Sequence, residues 1–116
     1  MVTRLSDFTM NKAVVACLRT SRVAYGSRRF FARIDGYLHY YGKLKNQEGM
    51  LRDATRVEGY RAALEAAAPL LRNATVMDIG TGSGILAFFA AKYGARKVYA
   101  IEGSPAMARV ASRLAR

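Results

Sequence analysis

Over residues 50–68, Ala54, Val57, Arg61, Leu64 and Ala68 recur at three- and four-residue intervals, which predicts one amphipathic helix without an interior proline. Its alanines favour helix locally, and Gly59 is its weak point, costing about 1 kcal/mol relative to alanine in a helix interior. Pro69 follows where a finished helix is often succeeded by proline. Residues 75–79 then read as a short strand bounded by Asn73 and Gly80. The run Gly80-Thr81-Gly82-Ser83-Gly84 is too glycine-rich for either regular element and predicts a turn. A helix is expected over 85–93, with Gly94 as its left-handed cap. Residues 97–101 form a second strand, and Ser104-Pro105 supplies an N-cap and first helical proline for a last helix running to about Arg113. Strand, glycine turn, helix, strand and helix make a βαβα unit with parallel strands, and the fold class is α/β.

Residues 1–34 have a different texture and read as a basic tail. They carry seven basic residues and one acid, more than half of the net charge of +11 in a chain of 116 residues. The apolar run 13–18, between Lys12 and Arg19, is shorter than the roughly 7–15 residues of a secretory core, which argues against secretion. Arg4, Arg19, Arg22, Arg28, Arg29 and Arg33, interleaved with Ser6, Ser21 and Ser27, suit an organellar transit segment. A basic lead-in that stays attached is the alternative. Such an arm could also meet nucleic acid phosphates, but the aromatic residues cluster at Tyr37, Tyr40 and Tyr41 rather than within it, so no stacking platform is formed.

Composition narrows the rest. With 52% apolar residues the chain is a folding sequence rather than a disordered polycation. Its longest apolar stretch, 85–91, is far short of the roughly 20 residues that span a bilayer, so no membrane partner is expected. One cysteine, Cys17, and one histidine, His39, exclude an intrachain disulfide and speak against a Cys- or His-built metal site; a reducing compartment is the simpler reading.

The glycine turn carries the chemistry. It follows a strand and opens a helix, where glycines allow close backbone approach to a ligand and the helix offers unpaired N–H groups. The spacing Gly80-x-Gly82-x-Gly84 departs from the G-x-G-x-x-G dinucleotide fingerprint. No lysine follows, which excludes a P-loop. Glu102 closes the second strand, 24 residues after Asp78. An acid there can accept hydrogen bonds from both ribose hydroxyls of a nucleoside, or be a solvated acid beside a turn.

The block from Val76-Met77-Asp78-Ile79-Gly80-Thr81-Gly82-Ser83-Gly84 through Phe89-Ala90-Ala91-Lys92 to Ala100-Ile101-Glu102 resembles the protein arginine N-methyltransferases. So does the block from Tyr37-Leu38-His39-Tyr40-Tyr41 through Glu48-Gly49-Met50-Leu51-Arg52-Asp53 to Arg56 and Tyr60, which is similar to that family's N-terminal helices. Ser83, Phe88-Phe89 and Gln47 lean towards the co-activator-associated, asymmetric-dimethylating branch. The resemblance covers about residues 37–112 and implies a partial Rossmann-like, class I S-adenosylmethionine-dependent methyltransferase fold. Residues 35–70 would form a helical segment over the cofactor and 71–116 the first βαβα part of the cofactor domain.

The resemblance also implies roles. Gly80 and Gly82 would let the backbone lie against the methionine part of S-adenosyl-L-methionine, and Glu102 would hold its ribose hydroxyls. Asp78 would sit near its ammonium or fix the glycine loop. Arg56 would grip its carboxylate, a task suited to a permanently charged, forked donor. Gln47 would contact the cofactor, while Tyr37, Tyr41 and Met50 would fold over it and shape an arginine channel. Read without the resemblance, those last three are packing residues, and Arg56 is an exposed helical arginine beside Asp53.

The implied activity is methyl transfer to arginine side chains of histones or Arg-Gly-rich proteins, by a homo-oligomeric enzyme in the cytoplasm or nucleus. The family's two substrate-holding glutamates lie on a hairpin loop beyond the second βα unit, and none of Glu48, Glu58 or Glu65 stands in that place. The chain is therefore expected to hold no catalytic residue, to be inactive and marginally stable alone, and to be an N-terminal fragment. A non-catalytic regulatory partner of a complete arginine methyltransferase is the alternative, and a nucleic-acid binder ranks last.

Overall fold

The computed structural model describes residues 8–10 and 28–116. The elements are β1 (Phe8–Met10), α1 (Arg28–Tyr41), α2 (Leu44–Arg52), α3 (Ala54–Ala66), α4 (Ala68–Leu71), β2 (Thr75–Ile79), α5 (Ile85–Lys92), β3 (Lys97–Ile101) and α6 (Pro105–Leu114). The βαβα unit therefore forms where the pattern places it. Strands β2 and β3 run parallel in register, Thr75 beside Lys97 through Ile79 beside Ile101. Gly94 takes the left-handed cap conformation at φ 103°. Ser104 caps α6 by accepting the Met107 N–H at 3.5 Å, with Pro105 in the first turn.

Two elements lie inside the stretch that reads as a tail. Strand β1 pairs in parallel with β3, so among the described residues the sheet has three strands in the order β1-β3-β2 rather than two. Helix α1 begins at Arg28. The rest of the basic arm, including the run 13–18 on which the transit and secretion readings turn, lies outside the described residues.

The single helix expected over 50–68 is divided. Asp53 leaves the helical region (φ −71°, ψ 89°), and its carboxylate accepts the Arg56 N–H at 3.1 Å, which ends α2 and caps α3. An aspartate before a helix-compatible run is a preferred N-cap, and here that local bond outweighs continuous amphipathic periodicity. A second break falls at Ala67, after which Pro69 sits in the first turn of α4 instead of following a finished helix.

The core sits on one face of the sheet. Val98 and Ala100 of β3 point into it and meet Ala87 and Ala90 of α5 and Ala95 of the connecting turn, with Val76 and Ala91 packed around them. Four of its five buried members are alanines, so the layers approach closely but remove little apolar area per residue from water. The other face of β2 is bare: Met77 and Ile79 are 60% and 73% exposed. Strand alternation places both there, opposite Val76 and Asp78.

Candidate functional site

The loop between β2 and α5 is built from left-handed backbone. Gly80, Gly82 and Gly84 have φ of 77°, 58° and 97°, values that a side chain at these positions would disfavour. At Gly82 space is also limiting, because a Cβ would lie 2.7 Å from Gln47 Oε1. At Gly80 a Cβ would meet nothing within 4 Å, so open space lies beside the loop at that point.

Two carboxylates set the loop's shape. Asp78 Oδ2 accepts the Thr81 hydroxyl at 2.6 Å. Glu102 accepts the Gly82 N–H through Oε2 and the Ser104 N–H through Oε1, both at 2.7 Å. Glu102 therefore pins the glycine loop to the start of α6, across the carboxyl ends of two parallel strands. Ligands bind at this edge of open α/β sheets, at the helix N-termini. The loop-fixing contact is one of the two placements that the resemblance allows for Asp78.

The helical segment forms the opposite wall. Gln47, 7% exposed, is the one buried residue of α2. Its Nε2 donates to the Tyr41 carbonyl at 2.9 Å while its Oε1 rests on Gly82. One amide side chain thus joins the end of α1, helix α2 and the glycine loop. The end of α1 also seats on the β3–α6 turn: a Cβ at Gly103 would lie 2.7 Å from Leu38, and one at Gly42 would lie 2.5 Å from Ser104 Oγ. The rings of Tyr37 and Tyr41 lie 4.6 Å apart at a 48° tilt, and Tyr40 meets Tyr41 edge-on at 5.1 Å. Tyr37 and Tyr41 stand at the mouth of the cleft and keep exposed surface.

Between the loop and this wall lies a cleft of about 330 Å³. All nine residues singled out in the sequence line it: Tyr37, Tyr41, Gln47, Met50, Arg56, Asp78, Gly80, Gly82 and Glu102. They come from α1, α2, α3, the strand β2, the β2–α5 loop and the end of β3, so the fold brings together two blocks separated in sequence. Arg56 uses its backbone N–H on the Asp53 cap and lines the cleft with the rest of the residue. Thr81, Leu38 and Ser104 were not singled out as site residues. Thr81 was legible as a hydroxyl between two loop glycines; the packing of Leu38 on Gly103 had no local signal. Among the described residues no three His, Cys, Asp or Glu side chains are grouped to hold a metal, and no helix is long and apolar enough to cross a membrane.

Comparison with known proteins agrees in direction. The family profile of the ribosomal protein L11 methyltransferase (PrmA) matches residues 59–115. A probable histone-arginine methyltransferase CARM1 of Oryza sativa subsp. indica is 49% identical over 78 residues, 67% of this chain and 15% of the rice protein. A probable protein arginine N-methyltransferase 3 of Oryza sativa subsp. japonica is 38% identical over 99 residues, 85% of this chain and 16% of that protein. Among solved structures, Arabidopsis thaliana protein arginine methyltransferase 10 matches with TM-score 0.65 at 44% identity, over 67% of this chain and 22% of that one. A Trypanosoma brucei PRMT1 enzyme–prozyme heterotetrameric complex with AdoHcy matches with TM-score 0.61 at 39% identity, over 64% and 23%. This chain thus spans less than a quarter of the length of each of these relatives.

Proposed function

We propose, from a chain that over two thirds of its length is a relative of the protein arginine methyltransferases, that its cleft holds S-adenosyl-L-methionine for methyl transfer to arginine side chains of proteins. The observation that carries this reading is the convergence of all nine sequence candidates on one cleft. Its volume falls within the roughly 300–1,000 Å³ of small-molecule sites. The Trypanosoma brucei relative is a complex with AdoHcy, the demethylated form of that cofactor.

The donor set fits such a molecule. Open space beside Gly80 admits close approach to backbone. Glu102 keeps acceptor capacity on both oxygens, each of which takes one N–H, and can hold a pair of ribose hydroxyls. Arg56 is the permanently charged, forked donor in the lining that can take a carboxylate. Tyr37 and Tyr41 present ring faces and edges at the mouth, suited to an apolar stem or a cation. When bound, the cofactor supplies an electrophilic methyl group on a sulfonium, and a guanidino nitrogen is the nucleophile. The chain's own contribution is to orient and shield; positioning and charge complementarity are most of what this transfer needs. Methyl transfer to an arginine-containing protein, by an oligomeric assembly, is proposed for the whole enzyme; this chain spans less than a quarter of the relatives it matches.

Equilibrium dialysis with labelled S-adenosylmethionine tests the reading. Displacement by S-adenosylhomocysteine, but not by ATP or NAD, is the expected result. Equal displacement by all three would replace it with a general nucleotide site. A second reading, a non-catalytic partner of a complete methyltransferase, gains support from the enzyme–prozyme composition of the Trypanosoma brucei relative. Retention of this chain by a full-length arginine methyltransferase, with gain of solubility, would favour it.

A further inference from the structure

Helix α3 contributes Arg56, Val57 and Tyr60 to the cleft, yet none of its 13 residues is buried. Its inward stripe is Val57, Arg61 and Leu64, each half-buried at i, i+4 and i+7. The middle position, where an aliphatic side chain would serve a plain amphipathic helix, is a guanidinium. Arg61 Nε donates to Glu58 at 2.6 Å and Nη1 donates to Glu65 at 2.7 Å, both on α3 itself. The same Nη1 donates to the Tyr93 hydroxyl at 3.2 Å. Tyr93 is the C-cap of α5, the helix that covers the core. The Tyr93 ring is in turn approached by Lys92 Nζ at 5.7 Å from its centroid. The guanidinium is held above its ordinary value by the bond to Glu58, then by those to Tyr93 and Glu65, so it stays charged throughout the working pH range.

Two carboxylates on its own helix leave Arg61 little rotational freedom, and the remaining contact is directed across the interface. A fork fixed on one side is a better hinge-stop than a free lysine, because less side-chain entropy is lost when the third bond forms. We propose that Arg61 and the Tyr93 hydroxyl form the tether that holds the cleft wall α3 on the sheet layer, and that they are positioning residues for Arg56 in cofactor binding. The tether is a property of the two helices; only its consequence for cofactor affinity rests on the function proposed above.

The test is Tyr93→Phe in the full chain, which removes one hydroxyl and leaves the ring. Hydrogen–deuterium exchange is read separately over α3 and β3. The expected result is α3 amides exchanging about three- to tenfold faster while β3 amides keep their wild-type rates. S-adenosylhomocysteine affinity should fall several-fold, and that loss should vanish in an Arg56→Lys background, as two residues acting as one unit require. Arg61→Lys, which retains the charge without the fork, should reproduce the α3 acceleration. Unchanged α3 exchange, or equal acceleration of β3, overturns the tether. An affinity loss additive with Arg56→Lys overturns the positioning role. If the wild-type chain does not bind S-adenosylhomocysteine, the proposed function fails while the exchange experiment still decides the tether.

Discussion

The floor and the wall of the cleft are made by different physics. The floor, from β2 to α6, is a short-range structure: parallel strands in register, a glycine loop of left-handed residues, two carboxylates on neighbouring N–H or hydroxyl groups, and alanines packed to full burial. The wall, α1 to α3, has from Asp35 onward one buried side chain, Gln47. It meets the floor at a few points: Gln47 on Gly82, Leu38 on Gly103, Gly42 on Ser104 and Arg61 on Tyr93. Stability should therefore reside in the floor, and ligand affinity should depend on how the wall is held against it.

The largest test of that division is a charge in the floor. Ala100 of β3 is fully buried in the cluster with Ala87 and Ala90 of α5, and Ala100→Asp would bury a carboxylate there. A cost of about 3–5 kcal/mol is expected, enough to abolish a cooperative urea transition in so small a core. A cooperative transition near the wild-type midpoint would show that the floor is not the stable half. Gly82→Ala strikes the junction instead. It meets Gln47 at 2.7 Å and strains a φ of 58°, so roughly 1–2 kcal/mol of stability and at least tenfold in affinity should be lost. Adding Gln47→Ala should relieve the clash but not the strain, and calorimetry of both variants separates the two.

Smaller effects sharpen the contrast. Gly59 lies inside α3 with open space where a Cβ would point. Gly59→Ala should raise stability by about 0.5–1 kcal/mol in a thermal scan and stiffen the wall without touching the cleft. At the low end, the exposed Arg52–Glu48 pair at 2.7 Å should be worth no more than about 0.5 kcal/mol, so Arg52→Ala should leave both melting and affinity near wild type. A large loss there would mean that α2 is held by something other than Gln47.

The same contrast explains what was legible in the sequence. The floor is legible almost whole, because its signals are local: short strand candidates at 75–79 and 97–101, glycines that only a turn tolerates, Gly94 as a cap, Ser104-Pro105 at a helix start. In the wall, residues 50–68 read as one helix because periodicity does not see the Asp53 cap competing for the Arg56 N–H. Strand β1 escaped because three residues carry too little pattern, and its place is fixed by pairing with β3 far along the chain. Candidate site residues came partly from the glycine turn and partly from the resemblance. Arg61 stood in the helical pattern at an inward position, but its partner Tyr93 lies 32 residues away and had no signal of its own.

One measurement bears most directly on the central claim that floor and wall together form a cofactor cleft. Calorimetric titration of the 116-residue chain with S-adenosylhomocysteine, beside Glu102→Ala, should give one saturable site in the wild type and none in the variant, with circular dichroism of the two alike. Saturable binding that Glu102→Ala leaves unchanged, or a folded wild-type chain that binds nothing, would contradict it.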